Sequence, residues 1–214
     1  EDFEVAASCQ VVVTDDPEEA WLLERYRIDF VKAGADLGVD EQARLRELNT
    51  ELAELSTEFG RNIVRSTQES SFVTDDVSEL HGLDEAQIDA IEKDGTYVLP
   101  LANTTVQPAL AQLTNRSTRK RLYELSIGRA PENLEIAVRM ATLRAERAGL
   151  LGYADHAAYT VADQTARTVD AVEDRLAQLV GPARRNVDKE AEALAEQAGH
   201  DIEPWDWPFY TEST

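Results

Sequence analysis

Three residue types in this 214-residue chain could in principle do hydrolytic or metal chemistry: histidine, cysteine and paired acids. A helical zinc hydrolase site needs two His four apart on one helix face, with a Glu beside the first to work on the metal-bound water. The chain has three His, at 81, 156 and 200. None stands in an H-E-x-x-H, and each reads as a surface or capping residue. The single cysteine, Cys9, has no partner for a disulfide and no His near it in sequence, so it reads as an incidental or buried thiol. Acidic pairs such as Asp15-Asp16 and Asp75-Asp76 carry no diagnostic weight among 42 Asp and Glu. Carboxylate pairing for glycoside chemistry depends on separation in space, not in sequence. No G-x-S-x-G elbow, G-x-G-x-x-G or G-x-x-x-x-G-K-[ST] phosphate loop occurs. The residues alone therefore name no catalytic, cofactor-binding or metal-ligating position.

Two other clusters stand out. Arg116-Ser-Thr-Arg119-Lys120-Arg121 is the one local positive run. It reads as the wet face of a helix paired to nearby Glu, with phosphate binding at a helix start as the alternative. Trp205-Asp206-Trp207-Pro208-Phe209-Tyr210 reads as an anchoring loop, with a ligand platform as the alternative, because Trp and Tyr bury large areas while keeping a polar handle.

The elements that must position these groups are mostly helices. Asp16 caps a helix that has Pro17 in its first turn and Glu19 three residues after the cap. Leu23, Tyr26 and Phe30 form its apolar stripe, and Gly34 and Gly38 bracket its end. Asp40 caps a long helix over about 41–68, whose seam is Leu45, Leu48, Leu52, Leu55, Phe59 and Ile63. Phe72-Val73 reads as a short strand. Asp84 with Gln87 starts a helix reaching about Lys93, ended by Gly95. Tyr97–Leu101 is extended and Pro100 favours a sheet edge. A segment at 107–113 follows, then a helix capped by Asn115 and ended by Gly128. Asn133 caps the next, with Ile136, Met140, Leu143 and Arg147 on one face and Gly152 at its end. Asp155 opens a short helix. Thr168 opens the last long one, which carries Val172, Leu176, Leu179, Val187 and Leu194 inward, bends at Gly181-Pro182 and stops at Gly199. The expectation is an all-α, elongated multi-helix domain over 1–214 with at most a minor extended element.

Composition bounds the rest. With 43% hydrophobic residues the chain can bury a sizeable core. A formal charge of −21 argues against nucleic acid and anionic membrane as partners, since both are polyanions. No apolar run approaches the ~20 residues that cross a bilayer. Glu1-Asp2-Phe3-Glu4 resembles neither a translation start nor a signal peptide, and Phe209–Thr214 carries no helix stop, so the chain reads as a piece of a longer protein. A piece of this kind leaves apolar surface uncovered, and self-association is expected from it.

Several segments together resemble one family. They are Leu99-Pro-Leu-Ala-Asn-Thr-Thr-Val-Gln-Pro-Ala-Leu110, Leu143-Arg-Ala-Glu-Arg-Ala-Gly-Leu-Leu-Gly-Tyr-Ala-Asp-His-Ala-Ala-Tyr159, Val161-Ala-Asp-Gln-Thr-Ala-Arg-Thr168 and Glu203-Pro-Trp-Asp-Trp-Pro-Phe-Tyr-Thr-Glu212. In order and spacing they are similar to the peptidyl-dipeptidases (dipeptidyl carboxypeptidases) of the thimet oligopeptidase superfamily. Trp207 leans the likeness away from oligopeptidase A. The resemblance implies a zinc peptidase of two largely helical halves enclosing a channel, acting on short peptides in the cytoplasm. Its H-E-x-x-H would lie in the C-terminal half, which this chain does not contain. The chain would then be an N-terminal-half channel wall, inactive alone and without bound metal, with the C-terminal catalytic half as its partner. Arg144 and Tyr153, inside the matching signature, would pack or hydrogen-bond to orient helices. A non-catalytic helical scaffold or interaction module would explain the composition equally well, but not the ordered motifs.

Overall fold

Helix-capping chemistry and a single hairpin turn set the element boundaries in the computed structural model, which describes residues 14–212. Cys9, the segment Glu1–Glu4 and the last two residues, Ser213 and Thr214, lie outside those residues. In chain order the described elements are α1 (Pro17–Lys32), α2 (Val39–Glu69), β1 (Ser71–Thr74), a 3-10 turn (Val77–Leu80), α3 (Glu85–Ile91), β2 (Glu92–Lys93), β3 (Thr96–Pro100), α4 (Asn103–Gln112), α5 (Arg116–Ile127), α6 (Asn133–Leu150), α7 (His156–Val161), α8 (Val169–Ala198) and α9 (Trp207–Glu212). The protein is thus all-α with one three-stranded antiparallel sheet, ordered β1-β3-β2. Among the described residues, no helix is long and apolar enough to cross a membrane. The described residues divide into two compact units. The first holds those up to Thr57 with Glu135–Leu179, the second Glu58–Leu134 with those from Val180 on.

The core of the first unit is a helix pair. Leu48 and Leu52 of α2 meet Leu143 of α6, with Leu55, Met140 and Leu150 packed around them. Burying each such side chain contributes about 1.5–3 kcal/mol. Arg44–Glu146 at 2.7 Å and Arg139–Glu51 at 2.6 Å are half-exposed ion pairs beside this seam. Exposed pairs contribute little each, so they set register more than stability. Both α1 and α6 end in the same 6→1 and 5→2 hydrogen-bond pair. Ala35 N donates to the Phe30 carbonyl and Gly34 N to that of Val31; Tyr153 N donates to Ala148 and Gly152 N to Gly149. Gly34 (φ 92°) and Gly152 (φ 79°) supply the left-handed residue this ending requires.

The core of the second unit lies beneath the sheet, where Phe72, Leu80, Leu99, Leu101, Val106, Leu110 and Leu122 are buried together. Lys93 pairs with Thr96 across a two-residue turn, Asp94-Gly95, with φ of 53° and 80°. That is the primed hairpin turn for which Asp-Gly is favoured.

Several sequence expectations need correction. Asp40 does not cap α2, because the helix already starts at Val39 and Gly38 N donates to Glu41 Oε2 at 2.9 Å. The seam of α2 continues to Asn62, which is 5% exposed, and not to Ile63, at 38%. Heptad spacing from Leu48, Leu52, Leu55 and Phe59 leads to position 62, where a polar residue breaks the apolar pattern that the eye follows. Asn62 Nδ2 donates to Asn133 Oδ1 at 2.9 Å, and Asn133 Nδ2 donates to the Phe59 carbonyl at 3.1 Å. Asn133 is therefore spent on α2 and its side chain does not cap α6. Glu92-Lys93, read as helix, form β2. Pro100 sits on the central strand, but at its end, opposite Ser71 and beyond the reach of β2, so no neighbour there needs its missing donor. Tyr26 is exposed, as are Leu176, Leu179 and Val187. In α8 only Leu194 is buried, and α8 continues as a single helix past Pro182.

Gly82 tests this packing. Its φ is 107°, and an added Cβ would lie 2.0 Å from the Gln112 carbonyl oxygen. Gly82→Ala is expected to lose more than about 2 kcal/mol in urea unfolding, whereas Gly95→Ala, with open space around it, loses less.

Candidate functional site

The basic run and the aromatic loop, read separately in the sequence, are each other's partner. Asp206 is fully buried, 0% exposed. Its carboxylate accepts from Arg116 Nη2 at 2.7 Å, Arg116 Nε at 3.0 Å and Arg119 Nη2 at 2.8 Å. The Glu203 amide adds a fourth donor at 3.2 Å. Arg119, 1% exposed, also donates from Nη1 to the carbonyls of Leu113 and Thr114, which follow α4. Its guanidinium lies 4.3 Å from the Phe209 ring centroid. Asn115 caps α5 through the amides of Ser117 and Thr118 and so holds both arginines at the helix start. Burial pushes the Asp206 carboxyl up, but the two guanidiniums and the Glu203 amide outweigh it and hold the group below the usual carboxylate range.

The rest of the run is occupied too. Arg121 pairs with Glu79, donates to the Val73 carbonyl at 2.6 Å and covers the Phe72 ring at 4.1 Å. Lys120 lies 5.2 Å from the Trp205 ring. The wet helix face expected is present in part, since Arg116, Lys120 and Arg121 are exposed and Lys120 pairs with Glu124 on the same helix, but the buried Arg119, with Arg116, forms an internal staple whose acceptors come from remote segments. The sequence signal was available: a lone Asp between two Trp in an apolar loop has to be paired if it is buried. Trp207 and Pro208 of α9 instead face Gln107, Pro108, Ala111 and Gln112 of α4 across a cleft.

The first unit has a second cluster, centred on Tyr159. Lys32 Nζ lies 4.7 Å and Arg147 Cζ 4.9 Å from its ring centroid. Tyr153 meets it edge-on at 5.4 Å and His156 stacks on it at 5.8 Å. Lys32 is also paired with Asp163 at 2.7 Å. Tyr153 packs in this cluster, while Arg144 is exposed and acts on His156 through charge. Burial lowers the His156 pKa, and Arg144 and Arg147 lower it further against the opposing pull of Asp155.

The histidines do not form a metal site. His81 is exposed and its carbonyl accepts from the Thr114 amide and hydroxyl. His156 is stacked on Tyr159. His200 Nδ1 donates to the Asp201 carbonyl at 2.8 Å, and Tyr210 Oη lies 3.4 Å from Nε2. Among the described residues no group of three or more His, Cys, Asp or Glu could hold a metal ion. The described residues do not fit a zinc site.

The model of Peptidase family M3 matches residues 109–214, a stretch that contains the whole Asp206 staple and the Leu143–Tyr159 signature. The chain is 35% identical to dipeptidyl carboxypeptidase of Escherichia coli over 214 aligned residues, covering 92% of this chain and 31% of that protein. The chain is similar to the M3 peptidases over these residues. It is also 35% identical to dipeptidyl carboxypeptidase of Salmonella typhimurium, over 92% of this chain and 32% of that one. With oligopeptidase A of Escherichia coli the identity is 29%, over 86% and 30%. The chain spans about a third of the length of the curated proteins it matches. The likeness to peptidyl-dipeptidases read from the motifs is borne out, and the higher identities fall on the side to which Trp207 pointed.

Two outcomes follow from the two clusters. Asp206→Asn strands Arg119 without its anion and is expected to cost about 3–5 kcal/mol in chemical unfolding. Glu146→Gln, at a half-exposed pair, should change it little. Because the Asp206 pKa is lowered by folding, its stabilisation is present above the ordinary carboxylate value and is lost as pH falls through the folded one. The Asn variant should lack that part of the acid dependence. His156 has the opposite chemistry and the same direction. Its folded pKa is depressed, so stability is full above the ordinary imidazole value near 6.5 and falls as pH drops below it. An NMR titration should place the His156 midpoint below the ordinary imidazole value near 6.5, and a midpoint at or above it would contradict the desolvated stack.

Proposed function

We propose that the chain is a channel-wall segment from the N-terminal half of a zinc-dependent peptidyl-dipeptidase, which removes dipeptides from the C-termini of short peptides. One observation carries the reading: 35% identity with dipeptidyl carboxypeptidases extends along 92% of the chain yet covers only 31–32% of those proteins. Zinc and the Glu that activates its water belong, in this reading, to the C-terminal half of the parent. The engagement of His156 and His200 with local partners supports that assignment. The segment contributes shape. The α2–α6 seam and the Asp206 staple hold helices as rigid wall elements, and a rigid wall admits extended peptides while excluding folded proteins. A cytoplasmic setting belongs to the same reading.

The test uses both the 214-residue chain and the complete gene product. The short chain is expected to retain no stoichiometric zinc and to release nothing from an N-blocked tripeptide. The complete product is expected to release its C-terminal dipeptide in a chelator-sensitive way. Metal-dependent cleavage by the short chain, or a complete product inert toward blocked peptides, would overturn the proposal. A stop codon directly after Thr214 would favour a free-standing helical scaffold.

A further inference from the structure

Helix α4 carries a proline in its interior, where a helix tolerates one least. Pro108 is the sixth of its ten residues. It has no N–H, so the Thr104 carbonyl, four residues before it, lacks the donor that helix geometry would supply. Thr104 and Pro108 stand side by side on the wall of a recess of about 220 Å³ between α3, β3 and α4. Every residue that lines it belongs to the second unit, so the recess lies within one compact body.

The floor is apolar. Leu99 and Ala109, each 3% exposed, belong to the core beneath the sheet, and Leu83 and Ile91 pack against that core. None of the nine lining residues is charged, in a chain with 29% charged residues. A charged ligand would leave water here without a counter-ion, so the recess suits a neutral one. Its polar groups are few: the Thr104 carbonyl, the Thr105 hydroxyl and the Gln87 amide. Gln87 Oε1 accepts from the Asp84 amide at 2.9 Å, which fixes the side chain and leaves Nε2 to donate.

Size narrows the ligand. A cavity of about 150 Å³ lined by aliphatics takes benzene, and sites for drug-sized ligands start near ~300 Å³. The recess falls between them, with room for one ring or a fused pair, because Ala90 and Ala109 leave space that longer side chains would fill. A rigid ring also loses little freedom on binding. The Thr104 carbonyl, short of its helical donor, is matched by a ligand that brings an O–H or N–H.

We propose that this recess binds a small neutral aromatic with a single O–H or ring N–H, a phenol or indole in class. The proposal does not rest on the channel-wall reading.

The probes are p-cresol and indole, followed by ligand-observed NMR against the 214-residue chain and against the complete gene product. Both are expected to bind saturably to both proteins, with Kd on the order of 1 mM. 4-Methylanisole, the same ring with its O–H capped, should bind about threefold or more weakly. Pro108→Ala returns an N–H to the Thr104 carbonyl, and should erase that preference while raising the melting temperature. Ala90→Leu, at the exposed rim, should remove binding of all three ligands and leave circular dichroism unchanged. N-acetyltyrosinamide separates two sources of the same ring. Tighter binding than p-cresol supports the proposal with a peptide side chain as the ligand, and weaker binding supports it with a free aromatic. No saturable binding by the unmodified chain, equal affinity for p-cresol and 4-methylanisole, or binding that survives Ala90→Leu would sink the proposal. So would tighter binding of 1-hexanol than of p-cresol, or binding by the short chain that the complete product lacks, which would assign the recess to burial against the rest of the protein.

Discussion

The buried carboxylate of Asp206 is the contact on which the second unit depends. A lone carboxylate at 0% exposure would be expelled or protonated. Here it accepts four donors from two arginines and one amide, and in return it neutralises Arg119, which is itself buried. Arg119 spends its other terminal nitrogen on the carbonyls that follow α4. One ion network thus joins the end of α4, the start of α5 and the turn leading into α9. Such a network is not a cheap source of stability, because desolvating both charges offsets much of the attraction. What it provides is a tie between remote segments, since the charges of Asp206 and Arg119 are satisfied by each other and by groups from all three.

The first unit solves the same problem differently. Its α2–α6 pairing is a leucine seam with ion pairs along its margin, and its polar centre is the Tyr159 cluster, in which cations lie on a ring face. In the part of α2 that belongs to the second unit the seam turns polar at Asn62, which donates to Asn133, and Asn133 in turn donates to the Phe59 carbonyl. A side-chain amide pair fixes register more strictly than apolar contact, which tolerates sliding.

Both clusters arrange charge inward, on partners of the chain's own. The match to Peptidase family M3 begins within α4 and runs through the whole staple, so the family signal and the main ion network occupy the same residues.

Sequence alone determined the helices, because their signals are local. Asp16, Asp84, Asn115, Asp155 and Thr168 cap where they were read to cap, and Gly34, Gly152 and Gly199 stop their helices through left-handed φ. The ordered motifs carried the family likeness for the same reason. Tertiary structure decided what depends on remote partners. It turned Asn133 from a cap into a link to α2, moved the seam from Ile63 to Asn62, made β3 central and joined Arg116 and Arg119 to Asp206. Periodicity shows which face of a helix is apolar, but only the fold shows what stands opposite. In α8 the apolar row is present as read, yet nothing among the described residues buries Leu176, Leu179 or Val187, because burial belongs to a pair of surfaces and the sequence of α8 specifies one of them.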